Sequence, residues 1–146
     1  MSERTSVDLR AATPDDAPRI AALLSDEGYP AGPSDIVARL ERFAPPDSQV
    51  LVAALDGEVL GFVALHVMPR FEHADRIARI LALVVDPGVR ERGIGRLLIA
   101  EAERVARERG AVFVELTAGH HRPEARRLYE SLGYDPTVTT YLRKRL

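Results

Sequence analysis

The chain contains neither cysteine nor tryptophan among its 146 residues. Without cysteine it can form no disulfide bond, no thiolate metal site and no acyl-cysteine intermediate. Any group transfer that the protein performs must therefore proceed without a cysteine nucleophile.

The chain also lacks a strong net charge and a long apolar run. Its formal net charge is −2 at pH 7, whereas nucleic-acid-binding domains usually carry a basic excess on one face. No apolar run approaches the roughly 20 residues of a membrane-spanning helix, and the polar residues 1–6 differ from the start of a signal peptide. We expect a cytoplasmic protein that binds neither nucleic acid nor membranes.

The composition is that of an ordinary globular domain. Hydrophobic residues make up 46% of the chain and charged residues 29%, and the length suits one domain of roughly 100–150 residues. No linker, repeat or low-complexity tract divides the sequence. We therefore predict a single domain over residues 1–146.

Hydrophobic periodicity predicts alternating strands and helices. Asp56-Gly57 between two β-type runs is a strong hairpin signal, and the almost continuously apolar run 77–85 indicates a strand buried on both faces. A helix over 94–109 and a strand over 112–116 would complete a right-handed crossover with two parallel strands. We expect an α/β (α+β) fold with a mixed, mostly antiparallel, twisted sheet of about six strands, the last over 137–142, and four flanking helices.

A strand, a basic glycine turn and a helix follow one another over residues 84–98. Gly93 and Gly95 allow a ligand to approach the backbone, and the first amides of the helix carry a partial positive charge that favours phosphate. Three arginines add full charges around this point: Arg90, Arg92 and Arg96. The spacing excludes a Walker loop, which needs Gly-Lys-Ser/Thr, and a dinucleotide loop, which needs a third glycine where Leu98 stands.

Two segments of the chain carry a family resemblance. The first is Arg90-x-x-Gly93-x-Gly95, preceded by Val85-Asp86-Pro87, and the second is the helical segment 122–134, which ends Tyr-Glu-Ser-Leu-Gly-Tyr. With the strand and helix pattern, the chain resembles the GNAT superfamily of N-acetyltransferases over nearly its whole length. The resemblance implies a GNAT-like fold and acetyl-CoA as the cosubstrate, with its pyrophosphate held by the glycine turn and the following helix.

The resemblance also implies a set of cofactor-binding residues. The strand edge would pair with the pantetheine arm, the turn and helix start would bind the pyrophosphate, and position 122 matches a site where many members have an asparagine that touches the cofactor. These residues are Leu83, Val84, Val85, Arg90, Glu91, Arg92, Gly93, Ile94, Gly95, Arg96 and Arg122.

The resemblance assigns the catalytic acid more clearly than the base. Tyr129 occupies the family position whose phenol commonly protonates the departing thiolate. Relatives often have a carboxylate base at the positions where this chain has Leu81 and Ala82. The remaining candidates for the general base are Glu72 and His73 in a predicted hairpin turn, together with His66, His120 and His121. Histidine suits this role because its side chain ordinarily titrates near neutral pH. A base is not needed if the amine arrives neutral.

The acceptor is expected to be a primary amine, and direct attack on acetyl-CoA follows from the lack of cysteine. In GNAT proteins the first two helices and their loop form much of the acceptor pocket, which points to Glu27 and Tyr29 as substrate contacts. Acidic residues in this half, such as Asp15 and Asp16, would attract a cation and favour a small-molecule amine.

The sequence leaves alternative functions open. The chain could acetylate a protein N-terminus or lysine, serve as a non-catalytic acyl-CoA-binding or sensing module, or use its late helix as an interface. A metal site is not expected, because the adjacent His120 and His121 point in different directions and only Glu124 lies nearby. A homodimer that uses the closing strand as its contact is a further option.

Overall fold

Five β-strands of the described residues form one sheet in the order of the sequence. A computed structural model describes residues 6–118 and 123–146, with the side chains of all of these except Arg90 and Glu91. The strands are β1 Asp8–Ala11, β2 Ser48–Leu55, β3 Glu58–Pro69, β4 Arg76–Val85 and β5 Ala111–Glu115. Neighbours from β1 to β4 pair antiparallel, and β5 pairs parallel with β4. The predicted mixed, mostly antiparallel sheet is confirmed.

Four α-helices in the described part of the chain flank this sheet, as predicted. They are α1 Ala17–Asp26, α2 Pro33–Arg42, α3 Ile94–Glu108 and α4 Pro123–Ser131. Proline suits the first position of α2 and α4, where a missing amide costs no helical hydrogen bond. Within the described ranges, no helix combines the length and the apolar character that crossing a bilayer requires.

The hairpin between β2 and β3 forms where the sequence predicts it. Asp56 has a φ of 51° and Gly57 a φ of 81°. Two successive left-handed residues make the type I′ turn whose twist matches that of the flanking strands. The turn sets the pairing of Leu55 with Glu58 and of Ala54 with Val59, and a single irregularity then shifts the register, so that Ala53 pairs with Gly61.

The two faces of the sheet are covered by different helices. On one face, α3 packs its buried Leu98 and Ala102 against Val63 and Leu65 of β3. On the other face, α1 and α2 pack against β2 and β3 around Phe62. The sheet is therefore a central layer, and β4 lies between helices on both sides, as its apolar sequence predicts.

The prediction of a sixth strand over 137–142 is wrong, because the structure has no strand in these residues. Residues 135–146 are exposed throughout and have no regular secondary structure. The alternating pattern of this segment suits a strand, but a strand also needs a neighbour to pair with. In the described residues β5 stays the last strand of the sheet.

Candidate active site

The glycine turn joins the end of β4 to the start of α3. After Val85 the chain passes through Asp86, a 3₁₀ turn over Pro87–Arg92 and then Gly93, whose φ is 78°. A side chain is strained in this left-handed region. A Cβ atom added at Gly93 would meet no heavy atom within 4 Å. Backbone conformation, rather than lack of space, is therefore what favours glycine here.

Asp86 fixes the turn to the rest of the molecule. Its carboxylate accepts a hydrogen bond from the Gly88 amide at 2.8 Å and forms an ion pair with Arg19 of α1. The Arg19 Nε donates to the Val59 carbonyl at 2.9 Å, and the Asp86 amide donates to the Leu60 carbonyl at 2.7 Å. These bonds tie α1, β3 and the turn together.

The first turn of α3 has backbone donors that the helix itself does not use. The Leu97 amide donates to the Gly93 carbonyl at 3.1 Å, and helical geometry leaves the three preceding amides without an acceptor inside the helix. They belong to Ile94, Gly95 and Arg96. With the helix dipole, such amides bind phosphate groups. The Arg92 side chain is exposed beside them, and Arg96 donates to the Ser131 hydroxyl at 3.1 Å.

β5 pairs with only the first part of β4, so β4 continues to the glycine turn without a neighbour on that side. Pairing with β5 ends at the register of Arg79 with Glu115, whereas pairing with β3 continues to Val85. Among the described residues, the β5-facing edge of 80–85 therefore has no strand beside it. The predicted segment Leu83–Val85 lies on this edge, where an extended ligand with amide groups could pair as an added strand.

A β-bulge interrupts the pairing of β3 with β4 at the same level. Leu65 faces Ile80 and Ala64 faces Ala82, so Leu81 has no residue opposite it. A bulge re-aims side chains and increases the local twist. Leu81 is half exposed and, together with Ala82, lines a cavity on the α1–α2 face of the sheet.

This cavity, of about 220 Å³, lies between α1, α2 and the sheet. Apolar side chains line it, among them Leu24 of α1, Leu40 of α2 and Phe62 of β3. Arg39 of α2 is the one charged residue in the described lining, and its guanidinium has no hydrogen bond or ion pair with any described residue. Arg39 has no signal in the sequence, because its position beside an apolar cavity depends on how α2 packs on the sheet.

α4 packs against the first turn of α3 and carries Tyr129. A Cβ atom on Gly95 would lie 3.3 Å from Leu128 Cδ2, so the glycine allows the two helices to approach closely. Tyr129 is half-buried, and its ring meets the Tyr134 ring edge-on with the centroids 6.2 Å apart. Tyr129, the predicted general acid, therefore directly follows Leu128, which contacts α3.

Tyr134 is a residue near the site that the sequence analysis did not single out. Its hydroxyl donates to Glu103 Oε2 at 2.8 Å, and burial, with this hydrogen bond next, raises the pKa of Tyr134 above its ordinary value. Its amide donates to the Tyr129 carbonyl at 3.1 Å, beyond the left-handed Gly133 that ends α4. The signal in the sequence is its place directly after that glycine. The Tyr134 hydroxyl therefore has Glu103 as its acceptor.

The predicted substrate residues Glu27 and Tyr29 lie in the loop between α1 and α2. The side chain of Glu27 is half-buried and that of Tyr29 is exposed. The Tyr29 amide donates to the carbonyl of Leu24, which lines the cavity. The structure therefore brings this loop to the edge of the cavity, although neither predicted residue belongs to the lining.

The predicted bases Glu72 and His73 lie in the turn between β3 and β4, and both are exposed. This turn precedes β4, whereas the glycine turn follows it. The ten residues of β4 span roughly 30 Å at the usual rise of a strand. The structure does not bring these two residues to the glycine turn. His66 lies on β3, where its Nδ1 shares a hydrogen bond with the Ser48 hydroxyl at 2.8 Å.

Some of the predicted site residues lie outside the described part of the chain, namely His120, His121 and Arg122. For Arg90 and Glu91 the structure describes only the backbone, which lies in the 3₁₀ turn. In the portions of the chain that are described, no three His, Asp or Glu side chains gather into a metal-binding group.

The family of the chain follows from comparison with known proteins. The sequence profile of the acetyltransferase (GNAT) family matches residues 16–134. The chain belongs to the GNAT acetyltransferase family. It is therefore an acyl-CoA-dependent acetyltransferase, and the glycine turn, the free edge of β4 and α4 described above are parts of a GNAT domain.

Individual relatives agree with the family. An aminoalkylphosphonate N-acetyltransferase of Salmonella typhimurium (strain LT2) is 35% identical over 132 residues, which cover 87% of this chain and 84% of that protein. A solved structure from Bacillus halodurans C-125, described as a transcriptional regulator, has a TM-score of 0.88 at 24% identity and covers 97% of this chain and 100% of that one. An aminoglycoside N-acetyltransferase solved in complex with CoA has a TM-score of 0.82 at 18% identity and covers 100% of this GNAT chain and 99% of its own. At these identities the two structures show the fold alone.

Proposed function

We propose that the protein moves an acetyl group from acetyl-CoA directly onto the primary amine of a small molecule. The observation that carries this proposal is the free edge of β4, which leads straight into the glycine turn and the first turn of α3. A coenzyme A thioester carries a diphosphate followed by an arm of amide groups. Unused helix amides suit the diphosphate, and a free strand edge suits the amides of the arm.

On the donor side, the α3 amides of Ile94 to Arg96 bind the diphosphate in this proposal. The edge of Leu83–Val85 pairs with the pantetheine arm, and Arg92 lies exposed beside the helix start. The side chains of Arg90 and Glu91, and Arg122, are proposed as further cofactor contacts from the family resemblance.

The reaction needs two proton movements. The neutral amine attacks the thioester carbon, a C–N bond forms, and the C–S bond breaks as the tetrahedral intermediate collapses. The coenzyme sulfur gains a proton, for which we propose the Tyr129 hydroxyl as the donor, and a positioned acid contributes ~10²–10⁴-fold. The amine loses a proton to water. Glu72 and His73, at the far end of β4, could receive it only through solvent.

The role of Tyr129 is tested by Tyr129→Phe. We expect the variant to bind acetyl-CoA as the original protein does and to turn over at least about tenfold more slowly, because only the proton donor is lost. Calorimetric titration measures binding, and release of free thiol with a panel of amines measures turnover.

Tyr134→Phe is the matched control, since it removes a neighbouring phenol whose proton is already held by Glu103. Its turnover should stay within about twofold of the original. Undiminished turnover in Tyr129→Phe would exclude the acid role. Binding of acetyl-CoA without thiol release for any amine would favour a sensing module instead, and acetylation of peptides alone would favour a protein acceptor.

We further propose that the acceptor carries an apolar body and an acidic group. The described lining of the cavity beside the β4 bulge is apolar except for Arg39 and includes no carboxylate. The acidic residues Asp15 and Asp16 line a different cleft, with Asp56 and Glu58. The Salmonella relative is named for an aminoalkylphosphonate, which combines an amine, an alkyl chain and an anion. In this proposal Glu27 and Tyr29 flank the entrance.

Arg39→Gln tests this acceptor class. The assay compares amines that differ only in a carboxylate or phosphonate, such as phenylalanine with 2-phenylethylamine. We expect the KM of the acidic amines to rise at least about tenfold, the equivalent of ~1.4 kcal/mol, and the KM of the neutral amines to stay unchanged. Arg42→Gln, three residues further along α2 and outside the lining, is the control. Equal use of both amines by the original protein would contradict the acidic-acceptor proposal and leave acetyl transfer standing.

A further inference from the structure

Arg19 lies on α1 between the apolar cavity and the glycine turn. The next residue of the helix, Ile20, lines the cavity, and so does Leu24, one turn further on. The Arg19 side chain, which is 30% exposed, forms the ion pair with Asp86 at the start of the turn, whose side chain is 27% exposed. Through neighbouring residues, α1 therefore contacts both the cavity and the turn.

The two carboxylate oxygens of Asp86 are used in different directions. Oδ1 accepts the Gly88 amide at 2.8 Å inside the turn, and Oδ2 accepts a hydrogen bond from Arg19 Nη2. The Asp86 carbonyl also accepts the Val89 amide at 3.0 Å, at the beginning of the 3₁₀ turn. The orientation of this carboxylate therefore sets the backbone of the turn that leads to the α3 amides.

Arg19 is itself oriented by a second hydrogen bond. Its Nε donates to the Val59 carbonyl at the start of β3, at 2.9 Å. The guanidinium group holds its N–H donors in one rigid plane, so a bond at Nε restricts the direction in which Nη2 points. The sheet thus fixes Arg19, and Arg19 fixes Asp86.

We propose that Arg19 is a positioning residue of the donor site, which acts through Asp86 to hold the glycine turn in the conformation that binds the coenzyme A diphosphate. The inference rests on the proposed function of the turn and adds a residue of α1 to it. Arg19 does not touch the ligand in this proposal. Ordering a loop on binding costs free energy, so a turn that its own chain already holds binds the ligand more tightly.

Arg19→Gln tests this role by calorimetric titration with coenzyme A and, separately, with pantetheine, which lacks the diphosphate and the nucleotide. We expect the Kd of coenzyme A to rise at least about fivefold, because the turn is no longer held in advance. The Kd of pantetheine should stay within about twofold, because pantetheine pairs with the β4 edge alone. A general loss of structure would weaken both ligands.

Arg70→Gln is the matched control. Arg70 forms an ion pair with Asp75 in the turn before β4, at the other end of that strand from the glycine turn, and the two side chains are similarly exposed, at 22% and 25%. The variant should leave the Kd of coenzyme A unchanged. Thermal unfolding reports that each variant is folded.

Asp86→Asn provides a second, independent variant, because its amide oxygen can still accept the Gly88 amide while the ion pair is lost. Alone or combined with Arg19→Gln, it should raise the Kd of coenzyme A by the same factor within about twofold, since the two residues act as one unit.

An unchanged Kd of coenzyme A in Arg19→Gln would overturn the proposal. So would an equal loss of pantetheine binding, or single effects that multiply in the double variant. The titrations contain no amine. A failure of acetyl transfer would appear instead as a lack of thiol release by the original protein, so the two failures are distinguishable.

Discussion

At the scale of single residues, the glycine turn depends on backbone conformation. Gly93 has a left-handed φ of 78° directly before the amides of α3, and Gly110 has a similar φ of 84° directly after the other end of the same helix. A side chain would be strained to a similar extent at either position, but only Gly93 lies at the proposed diphosphate site. This difference separates an effect on stability from an effect on binding.

Gly93→Ala should lower the free energy of unfolding by about 1–2 kcal/mol, because alanine is strained at positive φ. We also expect it to raise the Kd for acetyl-CoA at least about fivefold, equivalent to ~1 kcal/mol, since relief of the strain turns the first α3 amides away from the ligand. Denaturant unfolding and calorimetric titration measure the two quantities.

Gly110→Ala is the control, because an added Cβ there meets only Arg76 Cδ at an ordinary 3.8 Å. It should cost similar stability and leave the Kd unchanged. If both variants weaken acetyl-CoA binding equally, the turn has no special part in holding the ligand.

The residues that the sequence could predict are those whose role is local. Gly93 was predicted because glycine, helix start and flanking arginines lie within a few positions of one another. Arg39 was not predicted, because only the packing of α2 on the sheet brings it to an apolar cavity beside Leu81. Glu72 and His73 are predicted by residue type alone, although the strand predicted over 77–85 already separates their hairpin turn from the glycine turn.

At the scale of elements, Asp16 joins β1 to the start of α1. Its carboxylate accepts two hydrogen bonds from Arg10, Nη1 to Oδ2 at 2.8 Å and Nη2 to Oδ1 at 2.9 Å, and a third from the Thr13 amide at 2.8 Å. The hydrogen bond from Arg10 is the main reason that the pKa of Asp16 lies below its ordinary value, against the opposing effect of burial.

Asp16→Asn should lower the free energy of unfolding by about 1–3 kcal/mol at pH 7, because a buried ion-paired carboxylate is replaced by a neutral amide. The folded-state pKa is lowered, so the stabilisation is fully present above the unfolded-state pKa of about 3.9 and is lost as the pH falls through the lower folded value. The difference between the two proteins should therefore shrink below about pH 4.

Urea unfolding from pH 7 to pH 3 measures this difference. Asp15→Asn, one residue earlier and exposed, is the control and should change stability by less than ~0.5 kcal/mol. A pH-independent gap between Asp16→Asn and the original protein would show that the ionised carboxylate is not the stabilising group.

Elements were predicted well where their signal is local and poorly where it is not. The hairpin at Asp56-Gly57 formed as predicted, because the turn residues themselves dictate the left-handed backbone. The strand over 137–142 did not form, because alternation indicates which side chains could share a face but provides no neighbour. The bulge at Leu81 had no sequence signal, since it is set by the register between β3 and β4.

At the scale of the whole molecule, the order β4, α3, β5 produces both the fold and the site. The crossover through α3 places β5 parallel to β4, as predicted from the spacing of strand, helix and strand. The pairing ends at Glu115, and β4 continues without it to the glycine turn. The sequence predicted the crossover but not the point where the strands part, which depends on long-range packing.

This arrangement predicts that acetyl-CoA stabilises the protein as a whole. A ligand that binds only the folded state at 100 times its Kd adds ~2.7 kcal/mol, which for a domain of this size raises Tm by about 5–10 °C. Pantetheine, which has the amide arm but no diphosphate, should raise Tm by less than about 2 °C at the same concentration, because it cannot use the α3 amides. Thermal scans with each ligand measure the difference. An equal rise in Tm with both compounds would mean that the binding energy comes from the pantetheine arm and the β4 edge rather than from the start of α3. No rise in Tm with acetyl-CoA would contradict the proposal that the glycine turn binds the acetyl donor.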